Sequence, residues 1–298
     1  MIRGGGGLAD GVGRYRIRGH AVEVRCDPPE LVEMFERLLR VFSWDGGVRT
    51  VYELRPRPGS VPPGFALERD GRLVRTARWP DGLVDIVLWE IFQDALRDER
   101  EHVAIHAGAV SHGGRGIVLP APMNAGKTTL VGALICAGFD YLSDEAALVE
   151  TGGTLVPFPK PLTFEPGSYD LLPELRALIE QGPSLRRRHV VADELRAGST
   201  GTSCEIGWVV TLSRRAGAGS TLEPLRRGEA LAALAKNSFN LHRLGARGLD
   251  SLGRAVRGAS ALRLEVGDLQ QAVQAIRGLV GSAGNGSYAT SQQNTNSM

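Results

Sequence analysis

The hydrophobic and polar positions of the first hundred residues follow two periods. Apolar and polar residues alternate in YRIRGHAVEVRC, which predicts a β-hairpin. In ELVEMFERLLRVF the apolar residues recur at helical spacing behind Asp27 and two prolines, so we expect an amphipathic helix with Asp27 as its N-cap. Short β-like runs in residues 49 to 80 and a second helical period in LVDIVLWEIFQDALRDE follow. Residues 14 to 100 are therefore predicted to form a small α+β region, either a scaffold or a docking surface for a substrate.

A different pattern begins at residue 101. Two apolar β runs, HVAIHAGAV and RGIVLPA, precede a glycine-containing loop, the apolar helix TTLVGALICAG and the strand FDYLSDEAALVE. Gly138 stands where the end of a helix needs a left-handed residue. The strands EIGWVVTL and ALRLEV then alternate with helical periods at residues 228–238, 245–256 and 268–279. This order predicts an α/β domain over residues 101 to 280, with its ligand at the carboxyl ends of strands.

The two ends of the chain lack a hydrophobic period. Residues 1 to 13 are rich in glycine and residues 281 to 298 are polar, so we expect a flexible N-terminus and a disordered tail. A chain of 298 residues with 42% hydrophobic side chains can form one or two domains. The 35 basic and 33 acidic residues nearly cancel, which argues against nucleic acid or a membrane surface as a partner. Three scattered cysteines and the lack of an apolar signal segment predict a cytoplasmic protein.

Candidate chemistry is concentrated in the loop of LPAPMNAGKTTLVGAL. It matches the phosphate-loop pattern G-x-x-x-x-G-K-[ST] except at Ala121, which stands in place of the first glycine. The amides of such a loop and the positive end of the following helix bind phosphate oxygens. Ala121 is compatible if its φ is negative, and Asn124 is one of the few residue types that tolerate a left-handed conformation. The residues expected to bind the nucleotide are Ala121, Pro122, Met123, Asn124, Ala125, Gly126, Lys127, Thr128 and Thr129.

Within this loop, three residues have predicted roles in binding ATP and Mg²⁺. Gly126 lets the backbone approach the phosphates, the Lys127 ammonium lies between the β and γ groups, and Thr128 is a Mg²⁺ ligand. The other interpretation is an ordinary helix start, because threonine caps helices and lysine is common on surfaces. The apolar strand before the loop and the apolar helix after it favour the phosphate loop.

An acidic pair, Asp144 and Glu145, follows in FDYLSDEAALVE, roughly eighteen residues beyond the loop lysine. Carboxylates at the end of a neighbouring strand can hold Mg²⁺ together with Thr128. Asp144 can also take the proton of an attacking hydroxyl. The alternative is a solvated acidic turn without a role in chemistry.

These features, in this order, resemble the HPr kinase/phosphorylase family, and more closely its shorter HprK-related kinases. The resemblance rests on His106 in IHAGAV, the loop PAPMNAGKTT, the acidic pair of YLSDE and the segment PFPKPLTF, and it covers most of residues 100 to 280. It implies a P-loop kinase domain whose nucleotide-binding lobe is similar to that of phosphoenolpyruvate carboxykinase. It also implies catalytic roles for Lys127, Asp144 and His106, although His106 is alternatively a satisfied core histidine.

From the resemblance we expect an ATP- and Mg²⁺-dependent kinase that phosphorylates a serine or threonine of a protein or peptide. Because the family assembles into rings, the resemblance leaves open whether this chain forms a homo-oligomer. Two other functions also stay open: a nucleotide-sensing module that transfers no phosphate, and a small-molecule kinase, since phosphate loops do not select the acceptor. Lys160 is interpreted as a surface lysine between prolines, and the alternative is a lysine that approaches the phosphates. The basic run Arg186 to Arg188 with His189 is interpreted as a solvated segment rather than a phosphate or acidic-peptide dock.

Overall fold

The computed structural model consists of two compact units, which divide between Arg100 and Glu101. We call them unit 1 and unit 2. Both combine helices with β-sheets, which confirms the mixed α/β class expected from the sequence. In the described part of the chain, no helix is both long enough and apolar enough to cross a lipid bilayer. The residues that the structure describes are 11–27, 29–59, 63–180, 188–215 and 217–286.

Unit 1 is built on a five-stranded sheet. Its strands, in their order across the sheet, are β1 (Val12–Ile17), β2 (His20–Cys26), β3 (Thr50–Arg57), β4 (Gly64–Arg69) and β5 (Arg72–Ala77). Its helices are α1 (Glu30–Leu39), continued by a 3-10 turn over Arg40–Phe42, and α2 (Asp81–Asp98). β1 and β2 form the antiparallel hairpin predicted from their alternating pattern. β2 and β3 are parallel, because α1 provides the crossover between them.

Two expectations for the ends of elements in unit 1 were wrong. β1 begins at Val12, so residues 12 and 13 belong to the sheet and not to a flexible terminus. α1 has Pro29 as its N-cap without a side-chain hydrogen bond, so Asp27 does not cap it. Proline has a φ close to the helical value and needs no hydrogen-bond acceptor in the first turn, so it can begin a helix without a polar cap.

Unit 2 contains an eight-stranded mixed sheet. Its strands are β6 (Val103–His112), β7 (Arg115–Pro120), β8 (Asp140–Ser143), β9 (Ala146–Val149), β10 (Thr154–Val156), β13 (Cys204–Arg214), β14 (Thr221–Pro224) and β15 (Ser260–Val266). Their order is β10-β9-β6-β7-β13-β15-β14, with β8 also paired to β6. A separate two-stranded sheet consists of β11 (Leu162–Phe164) and β12 (Arg188–Val190).

Helices cover both faces of the large sheet. α3 (Lys127–Cys136) and α8 (Leu269–Gly286) share a hydrophobic cluster with one face, together with α4 (Pro173–Glu180) and α5 (Ala192–Leu195). A second cluster joins α6 (Arg227–Lys236) and α7 (Leu241–Gly258) to the opposite face. Because apolar side chains project from both faces of the sheet into these clusters, the central strands are buried nearly throughout.

The three helical periods predicted beyond residue 228 correspond to α6, α7 and α8. The last of these continues to Gly286, so residues 281 to 286 are helical and the disordered tail expected from residue 281 was wrong there. Leu279 and Val280 pack against the core cluster beside α3, which extends the ordered part of the helix beyond its predicted end. The remainder of that prediction lies outside the described residues.

The topology of unit 2 brings the ends of β7 and β8 together. Both strands are antiparallel to β6, on its two sides, and therefore run in the same direction. Pro120 at the end of β7 pairs with Ala107, and Ser143 at the end of β8 pairs with Ala109. The segment FDYLSDEAALVE is not one strand, since Asp144 and Glu145 form a bend between β8 and β9. The loop after β7 and this acidic bend thus lie on the two sides of β6, at the ends of β7 and β8.

Gly138 ends α3 as the sequence predicted. Its φ is +100°, its N–H donates to the Ile135 carbonyl, and the Phe139 N–H donates to the Leu134 carbonyl. These are the two hydrogen bonds of a Schellman motif, which needs a residue without a Cβ at this position. The turn places Phe139 in the core and aims β8 at its site beside β6.

Gly138→Ala is expected to lower the free energy of unfolding by about 1–3 kcal/mol, because alanine is strained at this φ. Chemical denaturation followed by circular dichroism measures the change. Gly228→Ala in α6 is the matched control, since that exposed glycine has ordinary helical φ and free space around it. The control is expected to be neutral or stabilising, and equal losses in both variants would contradict the explanation.

Candidate functional site

The loop between β7 and α3 has the backbone geometry of an anion-binding turn. Asn124 and Gly126 both adopt left-handed conformations, with φ of +63° and +83°. Ala121 is not among the described residues with positive φ, so alanine is compatible with its position. α3 begins at Lys127, and no side chain caps its first turn. Uncapped amides at a helix start, preceded by left-handed residues, favour a bound anion.

The exposure of the loop alternates between its tip and its base. Pro122, Met123, Asn124 and Gly126 are exposed, and 79% of Met123 is accessible. Ala121 and Ala125 are buried and attach the loop to the core cluster around α3. The loop is therefore fixed at its base while its tip faces solvent.

The side chain of Lys127 is buried and contacts His106 from β6. Only 8% of the lysine is exposed, and its Nζ lies 2.6 Å from His106 Nε2. An ammonium has no acceptor, so the histidine accepts this hydrogen bond on an unprotonated Nε2. Burial, followed by the nearby Lys127 charge, lowers the pKa of His106. Burial also lowers the pKa of Lys127, an effect that Asp144 and Glu145 oppose.

Asp144 lies at the end of β8 beside the start of α3. Its Oδ2 accepts a hydrogen bond of 2.9 Å from the Thr128 hydroxyl, whereas its buried Oδ1 has no hydrogen-bond partner. Burial raises the pKa of Asp144, while the charges of Lys160 and Lys127 act in the opposite direction. A buried carboxylate oxygen without a partner is costly, and a cation or a proton donor would satisfy it.

Glu145 forms an ion pair with Lys160, and the interpretation of Lys160 as a surface lysine was wrong. Lys160 Nζ lies 2.5 Å from Glu145 Oε2, and 14% of the lysine side chain is exposed. Burial alone would raise the pKa of Glu145, but the Lys160 ammonium, with smaller contributions from His106 and Lys127, lowers it. The prolines on either side of Lys160 do not lead it to the surface, since the neighbouring Phe158 is anchored in the core.

The site offers few protein ligands for a metal. Within the described ranges, no three His, Cys, Asp or Glu residues are arranged to hold an ion. The available oxygens are the Thr128 hydroxyl and the Asp144 carboxylate, which contact each other, and the carboxylate of the next residue, Glu145. Such a set fits Mg²⁺, which is usually held by one or two carboxylates together with substrate phosphates and water. The unpartnered Asp144 Oδ1 supports the fit.

A segment far away in the sequence also contributes to the site. Residues 237 to 240, between α6 and α7, run along β6, where the His106 N–H donates to the Asn237 carbonyl at 2.7 Å. The Asn240 side chain bridges the Ala104 N–H and the His102 carbonyl. These hydrogen bonds hold Phe239 edge-on against the His106 ring, with 5.6 Å between the ring centroids. No spacing in the sequence links residue 240 to residue 106, so no local pattern predicts this support.

Of two other buried polar residues, Ser168 contacts the phosphate loop and His189 lies in the two-stranded sheet. Ser168 is buried and its Oγ lies 2.7 Å from Thr129 Oγ1, so it orients the last loop residue. His189 was wrongly expected in a solvated segment, since it is buried and hydrogen-bonded to Thr163 across the β11–β12 sheet. The side chains of Arg186 to Arg188 lie outside the described part of the chain.

Gly108 of β6 provides the space through which the Lys127 side chain passes. A Cβ at this position would lie 2.7 Å from Val131 Cγ2 and 3.2 Å from Lys127 Cγ. Valine is stiff at χ1, so the clash would move α3 rather than one flexible side chain. The sequence does not predict this role of Gly108, since a glycine in a strand only indicates close packing.

If the loop binds ATP, as the sequence predicts, Gly108→Ala is expected to weaken that binding about tenfold or more, because it displaces Lys127 and the first turn of α3. Gly116→Ala is the matched control. There a Cβ would meet Leu155 Cδ2 at 2.8 Å, a similar clash without contact to Lys127. The control is expected to lose stability but to keep its ATP affinity when folded. Calorimetric titration of both variants tests this, and equal affinities would contradict it.

Comparison with known proteins found similarity among solved structures. No protein-family model matches the chain, and no curated protein matches it. Among solved structures, the chain is similar to the Hpr(Ser) kinase/phosphatase from Coxiella burnetii, with 10% identity and a TM-score of 0.30. The alignment covers 62% of this chain and 99% of that one. A similarity at this level is a distant one and carries no argument about function, which depends on the site itself.

Proposed function

We propose that unit 2 is an ATP- and Mg²⁺-dependent phosphotransferase that acts on a serine or threonine hydroxyl of a protein or peptide. The observation that carries the proposal is the contact between Thr128 and Asp144, two residues that are 16 positions apart in the sequence. This contact leaves one buried Asp144 oxygen without a hydrogen-bond partner, close to the charge of Lys127. A phosphate loop, a buried lysine and a carboxylate aligned in this way are the parts that phosphoryl transfer requires.

Each residue then has a defined task. The amides of residues 121 to 129 and the start of α3 bind the phosphates, and the Lys127 ammonium stabilises the charge on the transferred group. Bound Mg²⁺ supplies neutralisation of the phosphate oxygens, and Thr128 and Asp144 are the residues that would hold it. Asp144 also accepts the proton of the acceptor hydroxyl, in keeping with burial that raises its pKa.

His106 acts through Lys127 in this proposal. Because it is neutral and accepts from the ammonium, it holds the lysine in the site while no phosphate is bound. A triphosphate offers the same ammonium stronger, negatively charged acceptors. Lys127 therefore exchanges its partner without leaving a buried charge unsatisfied, and His106 is freed to donate or accept elsewhere.

A polypeptide acceptor is supported by the resemblance of the motifs to the HPr kinase family and by the open tip of the loop. Pro122, Met123 and Asn124 are exposed beside the phosphate-binding amides. A large acceptor can approach an exposed loop, whereas a metabolite usually needs an enclosed pocket for its binding energy.

The experiment uses γ-labelled ATP and separates acceptors by size. The full chain is incubated with the protein and peptide fraction and, separately, with the small-molecule fraction of the source cells. Label is expected in the polypeptide fraction, on serine or threonine, and in neither fraction with Lys127→Met. Label confined to small molecules would indicate a metabolite kinase. Binding of ATP without any transfer would indicate a nucleotide sensor.

A further inference from the structure

The two acidic residues of the site have different partners before any nucleotide is bound. Asp144 faces Thr128 and has one oxygen free, whereas Glu145 forms an ion pair of 2.5 Å with Lys160. Only 14% of the Lys160 side chain and 23% of the Glu145 side chain are exposed. Partly buried charges are screened much less than surface charges. The chain therefore supplies its own cation to Glu145.

The backbone around Lys160 is fixed against β8. The Tyr141 hydroxyl donates to the Lys160 carbonyl at 2.6 Å, and the Phe158 N–H donates to the Leu142 carbonyl at 2.8 Å. Tyr141 and Phe158 are buried, and prolines at positions 157, 159 and 161 restrict φ along the segment. A rigid segment thus presents the ammonium, and little backbone entropy is lost when the ion pair forms.

Lysine is an unusual choice in this chain. Of its 35 basic residues only three are lysines, Lys127, Lys160 and Lys236, and two of these lie in the site. Arginine holds a carboxylate through a planar, often bidentate fork, whereas the lysine ammonium is a compact point charge on a flexible stem. A point charge is easier to transfer from one anion to another. The lysine at position 160 is therefore suited to a temporary ion pair.

The charged groups that the described contacts bring together in the site balance without a ligand. Two carboxylates, Asp144 and Glu145, face two ammonium groups, Lys127 and Lys160, and His106 is neutral. A divalent cation that arrives alone meets no net negative charge and must displace Lys160 from Glu145. A nucleotide adds several negative charges, which both the cation and the ammonium can bind.

We propose that Lys160 is a positioning residue that occupies Glu145 until a nucleotide is bound, so that the divalent cation binds with the nucleotide and not before it. The inference rests on the proposed function, because it assumes that Asp144 and Glu145 serve a nucleotide-bound metal. It assigns a role to a residue outside the phosphate-loop motif. It also sets an order of binding for the two ligands.

The test measures binding of Mn²⁺ to the protein in the absence of nucleotide, with the signal of free Mn²⁺ in electron paramagnetic resonance as the readout. The wild type is expected to bind weakly. Lys160→Met leaves Lys127 facing both carboxylates, so the cation meets a net negative charge, and the variant is expected to bind at least about tenfold more tightly. Lys160→Arg keeps the charge and should bind weakly. The double variant Lys160→Met/Glu145→Gln removes both charges and should again bind weakly. A lysine with a merely structural role would give losses of affinity, never a gain.

Two results would overturn the inference. One is a folded Lys160→Met protein that binds Mn²⁺ no more tightly than the wild type, and the other is a wild type whose Mn²⁺ affinity is the same with and without ATP. If Lys160→Met does not fold, Lys160→Gln replaces it, because glutamine keeps a donor for Glu145. Failure of the proposed function is recognised separately, since a wild type that binds no ATP in the presence of Mg²⁺ refutes that function whatever the metal alone does.

Discussion

Lys127→Met is expected to abolish measurable ATP binding and to lower phosphoryl transfer at least about a hundredfold. Methionine fills a similar volume at a position where 8% of the side chain is exposed, so the fold is kept while the ammonium is lost. The loss is large because this is the only charged residue of the loop 121–129 and its buried charge is weakly screened. Calorimetry with ATP and Mg²⁺ and a transfer assay with labelled ATP measure the two effects.

Lys236→Met is the matched control for this substitution. Lys236 is the exposed third lysine of the chain, in the last turn of α6, and its replacement is expected to leave both binding and transfer unchanged. If Lys127→Met bound ATP with the affinity of the wild type, the claim that this loop binds the nucleotide phosphates would be contradicted, even if transfer were slow.

Asp144→Asn is expected to lower the transfer rate about 10²–10⁴-fold, because the variant has neither a proton acceptor nor an anionic metal ligand. The amide oxygen can still accept from Thr128, so the local structure is kept. The same change is expected to raise the melting temperature at neutral pH. Burial raises the pKa of Asp144 in the folded protein, so its ionised form opposes folding once the pH exceeds the ordinary carboxyl pKa, and the amide removes this cost.

The two effects of Asp144→Asn have opposite signs, which separates a functional carboxylate from a structural one. Asp140→Asn in the same strand is the control. Asp140 is half exposed and pairs with Arg196 at 2.8 Å, so its loss should change stability slightly and transfer not at all. A variant of Asp144 that loses both activity and stability would indicate that the carboxylate holds the fold together.

The loop and its flanking elements were predictable because their signals are local. A left-handed Asn124, a helix that starts at Lys127 and a helix end at Gly138 each follow from one residue type at one position. The meeting of the loop with Asp144 followed from a rule of topology, namely that strands running in the same direction end at the same edge of a sheet.

The rest of the site depends on contacts that no local pattern encodes. Lys160 lies between prolines, and the sequence alone does not show that Phe158 buries the segment against β8. The Asn240 bridge to β6 joins residues 136 positions apart. In both cases long-range packing overrode a reasonable local expectation. Asp27 failed as an N-cap for a local reason, since Pro29 begins the helix closer to its first turn.

The central claim, that the amides of residues 121 to 129 bind the phosphates of a nucleotide beside Asp144, is tested most directly by hydrogen–deuterium exchange of the full chain with and without ATP and Mg²⁺. The account predicts slower exchange in peptides that cover residues 121–129 and 140–149, and unchanged exchange in unit 1. Unchanged exchange across residues 121–129 at saturating nucleotide, or protection confined to unit 1, would contradict it.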